Sequence, residues 1–311
     1  MIKEKCIFFG LLLIAIGESN SFSVEFKYAD KANTFLGTEV NEQPVNYKIK
    51  PHIYSDSDMN KTIQMLSRRG FVLGESQKAL GSRLFLGVDK NKWVEFDSLG
   101  NSLRYFNGAI GDLSKLEADD SKKLKDSADK VVKDLIGAES ANYVLKNTEE
   151  DYRATPNSLA MLVNKTFRYV KNIDGRLVEG TTCHLRITIA QNCQVKAIEY
   201  KNPDIIKDKG IQSKVKRSGL KRQIQEYFQS ADFQNLSPGT TNVTIQDATK
   251  SLVLDSLGGD KYLTPSTSFY VTGNSVDNDS LKREIILKED ADQTPNLLQG
   301  EIQRFVPSGK K

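Results

Sequence analysis

Two histidines, His52 and His184, and three cysteines, Cys6, Cys183 and Cys193, are all the imidazole and thiol chemistry in the chain. Structural and catalytic metal centres draw heavily on those groups, so the sequence offers little for one. Cys183 and His184 are adjacent and have the look of a nucleophile and its base. On a strand, however, neighbouring side chains point to opposite faces, so this thiol and this imidazole cannot share a proton there. Cys183 then reads as a small buried hydrophobe. A cysteine nucleophile served by His52 is the remaining thiol-enzyme reading. Carboxylates cluster at Asp119-Asp120 and at Glu149-Glu150-Asp151, and nothing around them predicts the burial that tunes an acid–base pair. They read as helix-cap and edge-strand charges. The sequence contains no HExxH, phosphate-loop glycine run, GxSxG or CxxC, which closes the motif routes to metal-assisted hydrolysis, nucleotide use, acyl transfer and thiol redox exchange. The expectation is a non-enzyme, with no catalytic residue, cofactor or metal ligand to assign.

The 311 residues carry 44 Lys+Arg against 40 Asp+Glu, with 38% hydrophobic and 27% charged positions. These are the proportions of a folded globular chain, long enough for two or three domains, and they exclude fibrous repeats and multi-pass membrane proteins. A net charge of +4 at this length does not by itself call for a nucleic acid or a membrane. Residues 1–21 read as a secretory signal peptide, with Lys3 and Lys5 ahead of the apolar run IFFGLLLIAIG and small residues Ser19 and Ser21 near the cleavage point. That run is shorter than the roughly 20 residues needed to cross a bilayer. No later stretch is apolar enough either, so no transmembrane anchor is expected after cleavage, and the protein is expected to be secreted, periplasmic or held in the cell envelope. Cys6 precedes the apolar run and is not placed to be an acylated lipoprotein cysteine.

The elements that would position the two remaining cysteines form a hairpin. In TTCHLRITIAQNCQVKAIEY, Leu185, Ile187 and Ile189 alternate on one arm and Val195 and Ala197 on the other, with a turn at Gln191-Asn192. Cys183 then lies opposite the neighbourhood of Glu199 while Cys193 sits beside the turn, roughly 20 Å away along the strand. A disulfide tolerates Cα atoms no more than about 7 Å apart. Two free thiols are expected.

Along the rest of the chain, residues 22–50 read as an extended lead-in with one or two weak strands. Residues 51–112 read as a first unit: a helix over 58–69, capped by Ser57 or Asp58 and stopped by Gly70, then a meander of SRLFLGV, KWVEF and SLRYF. The same order recurs over 113–205. There Leu124, Ala128, Val131 and Leu135 form the stripe of a helix ended by Gly137, and strands follow at 149–153, 163–173, 177–189 and 194–200, with a turn at Asp174-Gly175. A helix-then-sheet order seen twice predicts an α+β fold in which each helix covers an antiparallel sheet. Residues 237–311 return to strands (TNVTIQ, KSLVLD, SFYVTG, REIILK) before a polar tail.

Between these parts, residues 206–236 read as a basic helical connector. Lys207, Lys209, Lys214, Lys216, Arg217, Lys221 and Arg222 crowd its first half, and Leu220, Ile224 and Tyr227 or Phe228 supply an apolar stripe. Such a segment suits an anionic partner, acidic cell-surface polymer in particular, or else it is the solvated face of a docking helix. No nucleic acid is expected as a partner.

The segment FRYVKNIDGRLVEGTTCHLRITIAQNCQVKAIEY (167–200) resembles the core of the PepSY and FTP propeptide-like domains, found ahead of secreted thermolysin-like metallopeptidases and in stand-alone extracytoplasmic proteins. The features in common are the aromatic strand Phe167 to Val170, the Asp174-Gly175 turn, the Val178-Glu179-Gly180 step and the long hairpin. The helix at 121–136 and the strands of YLTPSTSFYVTG (262–273) fit the same pattern. Family members usually carry Gly at the hairpin turn, where this chain has Cys193. A left-handed position charges a non-glycine residue about 1 kcal/mol. The resemblance implies repeated cystatin-like units and a non-catalytic role, that of a binding protein for a protein partner such as a secreted peptidase. The chain ends at Lys311 without a peptidase sequence, so such regulation is expected to act in trans. The alternative is a structural or adhesive envelope protein that docks on acidic polymer through 207–222.

Overall fold

The structure, a computed structural model, describes residues 24–38, 45–110, 121–153, 161–212, 217–230, 233, 239–257, 259–275 and 280–288. The chain opens with β1 (Glu25–Tyr28), α1 (Asp30–Gly37) and β2 (Val45–Lys50). It then runs through α2 (Asp56–Ser67) into the meander β3 (Leu73–Ala79), β4 (Ser82–Gly87), β5 (Lys92–Asp97) and β6 (Ser102–Asn107). Next come α3 (Ser121–Ile136), β7 (Tyr143–Arg153), β8 (Met161–Ile173), β9 (Arg176–Val178), β10 (His184–Ile189), β11 (Val195–Lys201) and β12 (Asp204–Gln212). The described chain finishes with α4 (Arg217–Gln229), β13 (Thr240–Leu257), β14 (Asp260–Ser275) and β15 (Ser280–Lys288). The expected signal peptide and the polar tail after Pro295 lie outside the described residues.

Local chemistry sets the element ends. α2 starts two residues earlier than its apolar spacing suggests because Ser55, not Ser57 or Asp58, is its cap. The Ser55 hydroxyl accepts from the Asp58 N–H at 3.1 Å and the Asp58 carboxylate accepts from the Ser55 N–H at 3.2 Å, a reciprocal capping box. Gly70, at φ 84°, turns the chain away after it. α3 spans 121–136 as its periodicity predicts, with Leu124, Ala128 and Val131 buried. At the β8–β9 turn, Asp174 and Gly175 take φ 49° and 78°, the left-handed pair that the Asp-Gly sequence favours.

Strand pairing departs from the sequence expectation. The described residues hold four α-helices and a single 15-stranded mixed sheet, which overturns the reading of repeated cystatin-like units with one helix on each antiparallel sheet. Strands β7, β8, β10, β11, β6, β5, β4 and β3 pair antiparallel in that order. The two expected units, 51–112 and 113–205, are thereby fused where β6 meets β11, with Tyr105 opposite Ile198. Two separate small sheets would each leave open backbone edges at that seam, and joining them satisfies both. Alternation of apolar residues fixes which face of a strand is buried, not which distant strand lies beside it.

One core holds α2 and α3 together: Ile63, Leu66, Leu124, Ala128 and Val131 pack with Phe167, Leu185, Ile187 and Ile198 from the strands. The second half of the sheet is built on the long β13–β14 ladder, flanked by β15 and β2 on the β14 side and by β1 and β9, both parallel, on the β13 side. Helices α1 and α4 cover it through Ala32, Leu36, Leu220, Ile224 and Phe228. The lead-in thus contains a helix as well as strands. The expected helical connector is a strand over its first part, β12, which pairs with β2. A small third cluster of Tyr47, Val178, Cys183, Leu252 and Leu263 joins the two halves.

Candidate functional site

The ends of several elements of the first core surround a cleft of about 660 Å³. α2 brings Arg68, Arg69 and Gly70 from its C-terminal turn. α3 brings Ser127, Lys130 and Asp134, and the β10–β11 turn brings Cys193, Gln194 and Val195. Lys92 at the start of β5, Asn107 at the end of β6, and Ala109-Ile110 complete the lining. Because Gly70 breaks the helix there, the two arginines sit at the negative end of the α2 dipole, where cations are favoured. On α3 the three cleft residues recur at helical spacing beside the buried stripe, so the packing that seats the helix also aims this flank at the cleft.

Four cations and one carboxylate line this space. Arg69 is held twice: one guanidinium nitrogen donates to the Met65 carbonyl at 3.2 Å and another pairs with Asp134. Lys92 donates to the Gly70 carbonyl at 2.8 Å and stands 3.4 Å from the Asp89 carboxylate. Arg68 and Lys130 are exposed and have no ion-pair partner among the described residues. The half-buried Cys193 thiol is unpaired, and the Ser127 hydroxyl donates to the Cys193 carbonyl at 3.2 Å. No imidazole lines the cleft. This arrangement can hold an anion; the carboxylate on its lining, Asp134, is engaged by Arg69.

The residues whose types suggest chemistry lie elsewhere. Cys183 is fully buried and unpaired among apolar side chains, and burial pushes its thiol up to about 12. The imidazole of buried His184 faces away from it, with Nδ1 3.0 Å from the Thr181 carbonyl and Nε2 3.5 Å from the Glu199 carboxylate. That hydrogen bond holds Glu199 down to about 2. His52 is bonded to Asp204 at 2.8 Å and serves neither thiol. Glu149 pairs with Arg186 at 2.7 Å, Glu150 with Lys165 at 3.0 Å, and Asp151 accepts from Asn164 at 3.0 Å, so all three are engaged across strands. Asp119 and Asp120 lie outside the described residues. Among the described residues no group of three or more His, Cys, Asp or Glu is placed to hold a metal ion, and no helix is long and apolar enough to cross a membrane.

The basic segment is not brought together on one helix. Lys207 and Lys209 stand on β12, and Lys207 pairs with Asp174 at 3.0 Å. Lys214 and Lys216 fall outside the described residues. Arg217 is the first residue of α4; further along it, Lys221 lies 5.6 Å from the centre of the Tyr28 ring and Arg222 pairs with Glu226 at 3.3 Å. In the sequence Arg68-Arg69 merely precede the Gly70 helix stop, and Lys130 carries no signal of its own. Nothing in local spacing links residues 68, 92, 130 and 193, which meet only through tertiary packing.

A buried charge cluster joins β7, the end of β9 and β15. Glu179, 2% exposed after β9, pairs with Lys146 of β7, and Lys146 also lies 2.8 Å from Glu284 of β15. Burial first, and the like charge of Glu284 second, raise the Glu179 carboxyl above its ordinary range.

No family model matches the chain, and neither does any curated protein sequence. Among solved structures, an uncharacterized protein from Eubacterium rectale is similar at a TM-score of 0.51 and 10% identity, covering 89% of this chain and 90% of that one. The Bacillus megaterium YpeB C-terminal domain matches at a TM-score of 0.41 and 12% identity, over 81% of this chain and 100% of that one. The first likeness is one of overall fold and extends over nearly the whole of both chains.

Proposed function

We propose that the chain is an exported, PepSY-like binding protein without catalytic activity of its own, which engages a secreted peptidase in trans. The observation that carries the reading is the cleft between α2, α3 and the β10–β11 turn, where Arg68 and Lys130 present charge that nothing in the described chain neutralises. Support for the family and for export comes from the sequence: the 167–200 resemblance and the N-terminal n-region and apolar run. The second reading, docking on acidic cell-surface polymer, draws on the basic 207–222 segment with Lys207, Lys209, Lys214, Lys216, Arg217, Lys221 and Arg222. Of these, Lys207, Lys221 and Arg222 already have partners within the chain.

The test is affinity capture with the tagged full chain from the culture supernatant and envelope of the source organism, with peptidase activity assayed in the eluate and in its presence. Recovery of a peptidase whose activity the chain changes is the expected result. An eluate without peptidase, together with unchanged activity of the organism's secreted proteases, would overturn the regulatory reading. Binding to isolated envelope polymer that collapses with salt would transfer the assignment to the adhesive reading.

A further inference from the structure

We infer that the cleft is a recognition site for an acidic peptide segment, in which Arg68 and Lys130 take side-chain carboxylates while Ile110 and Val195 cover aliphatic residues between them. The inference deepens the binding-protein reading and rests on it for the source of the peptide. Three observations lead to this ligand class. First, this wall already carries a guanidinium–carboxylate pair within the chain, Arg69 with Asp134, so a cation of the lining is placed where an acidic side chain can meet it. Second, the two cations left over, Arg68 and Lys130, come from different helices and line the same cleft, which offers an acidic ligand two separate points of attachment. Third, Ala109, Ile110 and Val195 share the lining with the charged groups around a volume of about 660 Å³. That is the size of a site for several side chains, whereas a hydrated inorganic anion would leave its apolar part uncovered. Gln194 supplies a polar side chain for a peptide backbone, while Ser127 and Asn107 are engaged with the Cys193 carbonyl and the Ala109 N–H.

The experiment uses the full chain in a Cys6→Ser background, so that Cys193 is the accessible thiol beside the cleft. The probe is an acetylated and amidated Glu-Leu-Asp-Leu-Glu peptide, compared with its Gln-Leu-Asn-Leu-Gln counterpart and with inorganic phosphate. Calorimetry should show saturable binding of the acidic peptide only. Affinity should fall on the order of tenfold in Arg68→Glu and in Lys130→Glu, and it should weaken as salt shortens the screening length. Bound acidic peptide should also slow alkylation of Cys193. Both substituted positions are exposed, so the variants keep the fold, which circular dichroism checks. Equal binding of the neutral peptide, binding unchanged by both charge reversals, or phosphate binding as tightly as the peptide would each overturn the inference. A cleft that binds the peptide while capture yields no peptidase leaves this inference standing and removes the peptidase; a captured peptidase with no peptide binding does the reverse.

Discussion

Asn192 and Cys193 are consecutive left-handed residues, at φ 56° and 57°, and together they close the β10–β11 hairpin, with the Ala190 N–H donating to the Gln194 carbonyl at 2.9 Å. Asparagine tolerates this conformation, whereas cysteine carries a Cβ that crowds the following carbonyl. Replacing Cys193 by glycine should therefore stabilise the fold by up to about 1 kcal/mol, and replacing it by valine should destabilise it. Urea unfolding midpoints decide the matter. A lower midpoint for Cys193→Gly would show that the side chain contributes more through its cleft contacts than the turn loses through strain.

The two thiols should differ sharply in reactivity. Cys183 is fully buried with its thiol pushed up to about 12, whereas Cys193 is half-buried at the cleft. In a Cys6→Ser background, native protein should consume one equivalent of alkylating reagent quickly and a second only on unfolding. Without reductant, denatured protein should show both thiols free. A mass lower by two hydrogens would mean a bridge and would dismantle the hairpin drawn above.

Glu179 should make stability depend on pH in the sense opposite to an ordinary ion-paired carboxylate. Its folded value lies above the ordinary 4.5, so it favours the fold below that pH. That contribution is lost as pH rises through the folded value. Glu179→Gln should match the parent in acid and exceed it in stability at neutral pH. A less stable variant at neutral pH would mean that the attraction to Lys146 outweighs the cost of burying the charge.

Glu199 works the other way. Its folded value of about 2 lies below the ordinary 4.5, because the His184 hydrogen bond favours the charged form. Its stabilisation is present above 4.5 and is lost as pH falls from there through about 2. Glu199→Gln should lower the urea midpoint at neutral pH, with the gap to the parent closing as the pH is lowered across that window. A gap that stays constant would mean that the loss is one of shape, not of charge.

Much of the local structure is legible in the sequence. The α3 stripe of Leu124, Ala128 and Val131, the Asp174-Gly175 turn and the alternation of Leu185, Ile187 and Ile189 each rest on residues within a few positions of one another. Helical period, left-handed preference and strand alternation are properties of such short windows. The separation of the Cys183 thiol from the His184 imidazole follows from the same alternation, whereas the left-handed conformation of Cys193 belongs to the turn between the two strands. The Ser55–Asp58 cap is equally local, but Ser57 and Asp58 offer the same chemistry nearer the apolar run.

What only the tertiary structure decided is adjacency. The β6–β11 seam that fuses two expected units into one sheet is long-range and built from backbone groups that are alike at every residue, as are the parallel pairings of β13 with β1 and β9. The choice among partners is made by which combination of faces closes the cores around α2 with α3 and around α1 with α4. The cleft is a product of that choice. Arg68, Lys92, Lys130 and Cys193 each look like ordinary surface or turn residues in their own windows, and they become one site because α2 and α3 pack on the same sheet face beside the β10–β11 turn.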